Sequence, residues 1–190
     1  MTDIKPPTPP IKSNSRVIYL TGIIDELAAK TFVERLVELE CQSPGKDILI
    51  YIDSYGGAID SFIAMHDAIK LMRCPIATVC IGKAMSAGLL LLISGTPGKR
   101  FITPNSRTMM HEIWGHSFGK LSEMDNDIQE TKRLQKLIEG MILRYTKLTR
   151  KSIRDFMMQD SFFNAEQTMQ LGLVDHIIDN PHKLYRIVNV

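Results

Sequence analysis

Short apolar runs and apolar positions at three- and four-residue steps take turns along this chain, and that alternation sets the expected elements. Residues 16–22, RVIYLTG, read as a strand, and residues 24–40 as a helix whose Leu27, Phe32, Leu36 and Leu39 are expected to share a face. KDILIYIDSYGG (46–57) reads as a buried strand ending in a glycine pair, followed by an amphipathic helix over 58–72. Pro75 restarts the chain, and IATVCIG (76–82) is rich in the β-branched residues that favour strands. KAMSAGLLLLI (83–93) leads into a helix, and GKRFITPNSRTMMH (98–111) reads as extended.

Leu121, Met124, Ile128, Leu134, Ile138, Met141 and Tyr145 then recur at helical spacing. A helix of about 27 residues over 121–148 would be about 40 Å long. It is read either as a long core helix or as one projecting to pack on another subunit. A last short helix follows Asn164, which forms a capping-box pattern with Gln167, and Gly172 stops it. LVDHII (173–178) closes the fold. Strand–helix alternation throughout makes the class α/β. One domain is expected over 16–180, between a flexible Pro-rich tail (1–15) and a C-terminal tail (181–190).

Composition narrows the function. The formal net charge is +2, and the lysines and arginines are scattered, so no nucleic-acid partner is expected. The longest apolar run, 88–93, is far short of the roughly 18 to 20 residues of a membrane span. No charged segment followed by an apolar core opens the sequence, so no secretory signal is expected. Cys41, Cys74 and Cys80 lack CxxC spacing, so neither a disulfide framework nor a zinc site is expected, and a reducing, cytoplasmic setting is the default. HEIWGH (111–116) places two histidines five apart. That would splay them by about 140° on a helix, unlike the i, i+4 pair of zinc proteases.

Ser86 sits where the strand 76–82 gives way to an apolar helix. First-turn N–H groups have no intrahelical partner and favour negative charge, so a hydroxyl there is placed to attack a carbonyl beside an oxyanion site. A-M-S-A-G is close to the nucleophile elbow G-x-S-x-G with alanine first. A plain serine N-cap is the competing reading. A nucleophile needs a base, and His111, at the end of SRTMMH, is the candidate among five histidines. Gly56 and Gly57 would either turn a backbone N–H towards Ser86 or serve an ordinary strand-to-helix turn.

Together these segments resemble the proteolytic subunits of the ATP-dependent Clp protease, the ClpP family. The likeness runs from about residue 16 to 178 and rests on KDILIYIDSYGG, CIGKAMSAG, GKRFITPNSRTMMH and DSFFNAEQTMQLGLVD. Ser, His and Asp stand in the family's order, at steps of 25 and 49. The resemblance implies Ser86 as nucleophile, His111 as base and Asp160 as orienting acid, with Asp155 and Asp175 as alternative acids. It implies the backbone N–H groups of Gly57 and Ala87 as oxyanion donors, and Tyr51 in a partner-docking pocket.

It further implies a ClpP/crotonase-type spiral of ββα units with 121–148 as a protruding handle helix. The implied assembly is a homo-oligomer of two stacked seven-membered rings, served by an ATP-dependent AAA+ unfoldase or a companion ClpP subunit. No metal or cofactor is implied. Tyr55 stands where the family has proline, Ala87 where it has methionine, Glu112-Ile113 in place of Gln-Pro, and Met158-Gln159 in place of Asp-Arg. These departures mark a divergent member. They also raise the alternative of a subunit inactive by itself, serving as a structural partner in a mixed ring.

Overall fold

The computed structural model describes residues 16–189; the Pro-rich segment 1–15 lies outside them. Among the described residues the expected α/β class is what is found. Strands β1 (Val17–Ile24), β2 (Ile48–Gly57) and β3 (Ile76–Met85) alternate with helices α1 (Glu26–Gln42) and α2 (Ile59–Leu71). Helix α3 (Ala87–Ile93) follows, then β4 (Arg100–Ile102) and β5 (Arg107–Met110). The long α4 (Leu121–Tyr145) leads to α5 (Arg150–Met158), β6 (Ser161–Phe163), α6 (Ala165–Gln170), β7 (His176–Ile177) and α7 (Pro181–Tyr185).

The main sheet runs β1-β2-β3-β4-β7, all parallel. Parallel strands need covered faces, and residue parity along β2 supplies them. Ile48, Ile50 and Ile52 join the core under the helices, while Leu49 packs with Ala77, Val79 and Phe101 on the other face. That second face is closed by the chain's end: Leu184 and Val188 are buried against it. Asn189 exchanges hydrogen bonds with Asp47, through backbone and carboxylate. Residues 181–189 thus form a helix and a latch on the sheet.

Strand β3 is longer than its sequence suggested. Gly82, at φ +73°, bends it rather than ending it. Before the bend, Thr78–Cys80 pair with β4; after it, Lys83–Met85 pair with β5. Register shifts at Gly22/Ile23 and Ile52/Ser54 bend the neighbouring strand pairs as well. The strand ends thus leave the main sheet together, and the candidate site is built on them.

Helix α1 starts where Asp25 accepts the Ala28 N–H at 2.8 Å, an N-cap. It buries Ala29, Phe32, Leu36 and Leu39, but Leu27 is 71% exposed; Ala29 takes the place expected for it. In α4 only Ile138, Glu139 and Ile142 are buried. Leu121 and Ile128 of the same apolar stripe are exposed, so the first half of this helix of 25 residues projects from the domain. The capping box at α6 forms as expected, with Asn164 accepting the Gln167 N–H at 2.8 Å. No helix among the described residues is long and apolar enough to cross a membrane.

Candidate active site

Three strand ends bring the site together. Met85 is in register with Met109, and Met110 with Ser161. The residue after β3 (Ser86), the residue after β5 (His111) and the residue before β6 (Asp160) are thereby neighbours, although the chain separates them by 25 and 49 positions.

Ser86 turns the chain from strand to helix in one residue, with φ 52° and ψ −124°. Left-handed backbone on a residue with a Cβ costs on the order of 1–3 kcal/mol, and such strain gathers at functional turns. Backbone bonds hold it in place. The Ser86 N–H donates to Met109 O (3.0 Å), and Ser86 O accepts the Leu90 N–H (3.1 Å). Although Ser86 occupies the N-cap position of α3, its hydroxyl makes no capping hydrogen bond. Instead Oγ lies 2.7 Å from His111 Nε2. The seven residues after Ser86 are all buried, which seats the helix and hence the hydroxyl.

The crowding around this turn accounts for the glycine pair. A Cβ on Gly56, at φ +100°, would stand 2.8 Å from both Met85 O and Ser86 Cβ. A Cβ on Gly57 would collide with the Ile24 carbonyl. Ser54 pins the same turn, donating to Gly22 O (2.6 Å) and accepting the Gly56 N–H (3.0 Å). Gly57 lines the cleft beside Ser86, and Ala87 is the first residue of α3, where an N–H has no intrahelical partner.

Asp160 is less firmly placed. It also has positive φ, 47°, and its Oδ1 is 4.0 Å from His111 Nδ1, with the side chain 72% exposed. The alternative acids stand elsewhere. Asp155 is an exposed residue of α5. Asp175 pairs with Arg100 (Oδ1 to Nη2, 2.7 Å) and accepts the Gly98 and Arg100 N–H groups. Burial pushes the Asp175 carboxyl up, but the hydrogen bonds and charge of Arg100 outweigh it and hold the group below its usual range.

Ser86 and His111 open onto a cleft of ≈ 440 Å³. Its walls are largely apolar and come from distant elements: Met109 and Met110 of β5, Ile113 and Trp114 of the following loop, Ile138 and Ile142 of α4, and Met157 of α5. No local sequence pattern marks Trp114, Ile138, Ile142 or Met157 as neighbours of Ser86. Helix α5 was itself unexpected; Ile153 and Met157, four apart and both buried, were its available signal. At the mouth Tyr55 is exposed, with Lys83 Nζ 4.3 Å from its ring centroid; the same Lys83 bonds Asp53 at 2.7 Å. Among the described residues no three His, Cys, Asp or Glu side chains converge as metal ligands. Tyr51 lies away from the cleft and stacks on Tyr19, centroids 5.5 Å apart.

Fold and site together describe an α/β protein that presents a hydrogen-bonded serine–histidine pair at the carboxyl ends of neighbouring parallel strands. The family model of the Clp protease matches residues 12–181. The chain is 37% identical over 163 residues to ATP-dependent Clp protease proteolytic subunit 3 of Frankia casuarinae, covering 86% of this chain and 76% of that protein. It is 36% identical over 163 residues to proteolytic subunit 2 of the same organism, covering 86% and 75%. The chain belongs to the Clp protease family.

Proposed function

We propose that the chain is a serine endopeptidase that cleaves short peptides or unfolded polypeptides. The observation that carries this reading is the 2.7 Å contact between Ser86 Oγ and His111 Nε2 at a strained turn facing an apolar cleft. His111 takes the hydroxyl proton as Ser86 Oγ attacks the scissile carbonyl, and later gives it to the leaving amine. Water then attacks the acyl-enzyme with His111 again as base. The N–H groups of Gly57 and Ala87 hold the oxyanion in both steps. Asp160 orients the imidazole and stabilises its charged form.

Family membership supports a ring-shaped chamber of two stacked heptamers. The half-exposed apolar stripe of α4, with Leu121 and Ile128 open to solvent, supports it as the handle between rings. Both relatives are named ATP-dependent, which supports an AAA+ unfoldase as partner, docking near Tyr51, in a cytoplasmic setting. A chain that served only as a structural partner would not need the Ser86–His111 pair.

The test is hydrolysis of a fluorogenic peptide together with fluorophosphonate labelling. Ser86→Ala should lower turnover by about 10⁴- to 10⁶-fold, and labelling should sit on Ser86 and vanish in His111→Ala. Unchanged hydrolysis by Ser86→Ala would rule the reading out.

A further inference from the structure

The segment that carries the base is held from behind by a side chain outside the triad. Residues 111–118 belong to no helix or strand, so no ladder fixes their position over the cleft. Gln135 of α4 accepts the Ile113 N–H at Oε1 (3.0 Å), and its Nε2 donates to Met157 Sδ (3.2 Å). Only the amide oxygen can accept from an N–H, so the amide's orientation is set and its nitrogen faces the sulfur. Ile113 lies two residues after His111, and Met157 three residues before Asp160. Met157 is buried, and its carbonyl accepts the Asp160 N–H at 3.5 Å where α5 ends. One side chain on α4 therefore joins the backbone that carries the base to the helix end that carries the acid.

We propose that Gln135 is a positioning residue, setting how closely His111 and Asp160 approach; this rests on the serine-peptidase reading above. The distance it governs is one where small movements matter. At 4.0 Å the pair is just outside hydrogen-bond reach, and a shift of about 1 Å in a reacting constellation is worth about 10²-fold in rate.

Two variants of the full chain test this. Gln135→Met keeps the side chain's length and removes its hydrogen-bonding amide; Gln135→Glu keeps an oxygen for the Ile113 N–H. Gln135→Met should lower kcat about tenfold with KM within about twofold, since the loss falls on the transition state, and should speed amide exchange at Ile113. Gln135→Glu, which still accepts the Ile113 N–H but has no donor for Met157 Sδ, should restore the slow exchange at Ile113 and only part of kcat. A Gln135→Met enzyme with wild-type kcat overturns the proposal, as does a loss that appears in KM alone, or Ile113 exchange as fast in Gln135→Glu as in Gln135→Met. If Gln135→Met fails to fold, Gln135→Ala, which adds no bulk at this half-buried position, is read by the same criteria. Wild-type labelling at Ser86 by a fluorophosphonate separates the two claims. Its absence sinks the peptidase reading, whereas a labelled wild type beside an unimpaired Gln135→Met sinks only the role of Gln135.

Discussion

Asp160 Oδ1 stands 4.0 Å from His111 Nδ1, while on the other side of the same ring Nε2 is 2.7 Å from Ser86 Oγ. The imidazole is thus engaged by the serine hydroxyl and only approached by the carboxylate. The asymmetry follows from the two anchors. Ser86 is fixed by β3, α3 and a backbone bond to β5, whereas Asp160 sits in the turn after α5 with most of its side chain in water.

A graded loss of activity should result. Ser86→Ala and His111→Ala remove groups already in contact and should each lower kcat by about 10⁴-fold or more, whereas Asp160→Ala should cost about 10²- to 10³-fold. Peptide turnover by the three variants at one pH checks this. An Asp160→Ala loss as large as that of Ser86→Ala would show that the acid is engaged far more tightly than 4.0 Å.

Gly56→Ala should damage the site while leaving Ser86, His111 and Asp160 themselves unsubstituted. Its Cβ would meet two backbone atoms, Met85 O at 2.8 Å and Ala87 N at 3.0 Å, as well as Ser86 Cβ. Backbone has little room to give, and φ +100° already disfavours a side chain. Expected are a stability loss of about 1–3 kcal/mol and a fall in kcat of at least about 10²-fold from displacement of the Ser86 turn. Urea unfolding and peptide turnover measure the two. Wild-type turnover would show that the turn relaxes without moving Oγ.

The contact between Ser86 and His111 was legible because each residue sits at a boundary that sequence pattern marks. Ser86 follows a β-branched run and precedes a leucine run, and His111 ends an extended segment. The cleft walls were not legible. Ile138 and Met157 become neighbours of Ser86 only when α4 and α5 pack, and nothing local to either residue reports a partner some fifty or seventy positions away. Leu27 misled because it fits a helical stripe one turn beyond where α1 meets its core. At Gly82 a glycine that reads as the end of a strand bends β3 onward towards β5, and that continuation is what places Ser86 beside His111. The latch at Asn189 was hidden for a different reason: a short polar–apolar mixture at a chain end has no periodicity until the sheet face it covers is known.

The Arg100–Asp175 pair should set part of the acid limb of stability. The Asp175 carboxyl is held below its usual range, so its contribution is present above the unfolded-state value near about 3.9. It is lost as pH falls through the lower folded-state value. Asp175→Asn leaves Arg100, a buried cation, without its carboxylate, and should destabilise by about 3 kcal/mol at neutral pH. The variant should also show a shallower decline between about pH 5 and 2 than the wild type. Urea melts at stepped pH read both effects, and parallel declines would show that other carboxylates control the acid limb.

Tyr51 should act on the opposite limb. Burial pushes its phenol up to about 12, with Tyr185 and Tyr19 adding to the effect. For an acid whose folded value is raised, the unfolded chain releases its proton first, near about pH 10. Stability is therefore whole below that pH and falls as pH rises through the folded value. Tyr51→Phe keeps the ring stacked on Tyr19 and removes the proton. Its urea midpoint should match the wild type at pH 8 and fall less steeply between about pH 10 and 12. Tyr19→Phe, measured beside it, should flatten the decline less, because burial of Tyr51 is the larger cause of the shift and the neighbouring rings the smaller. Identical alkaline slopes in Tyr51→Phe and wild type would mean that the phenol is hydrated in solution, and that the surface around Tyr51 stands open rather than closed under α7.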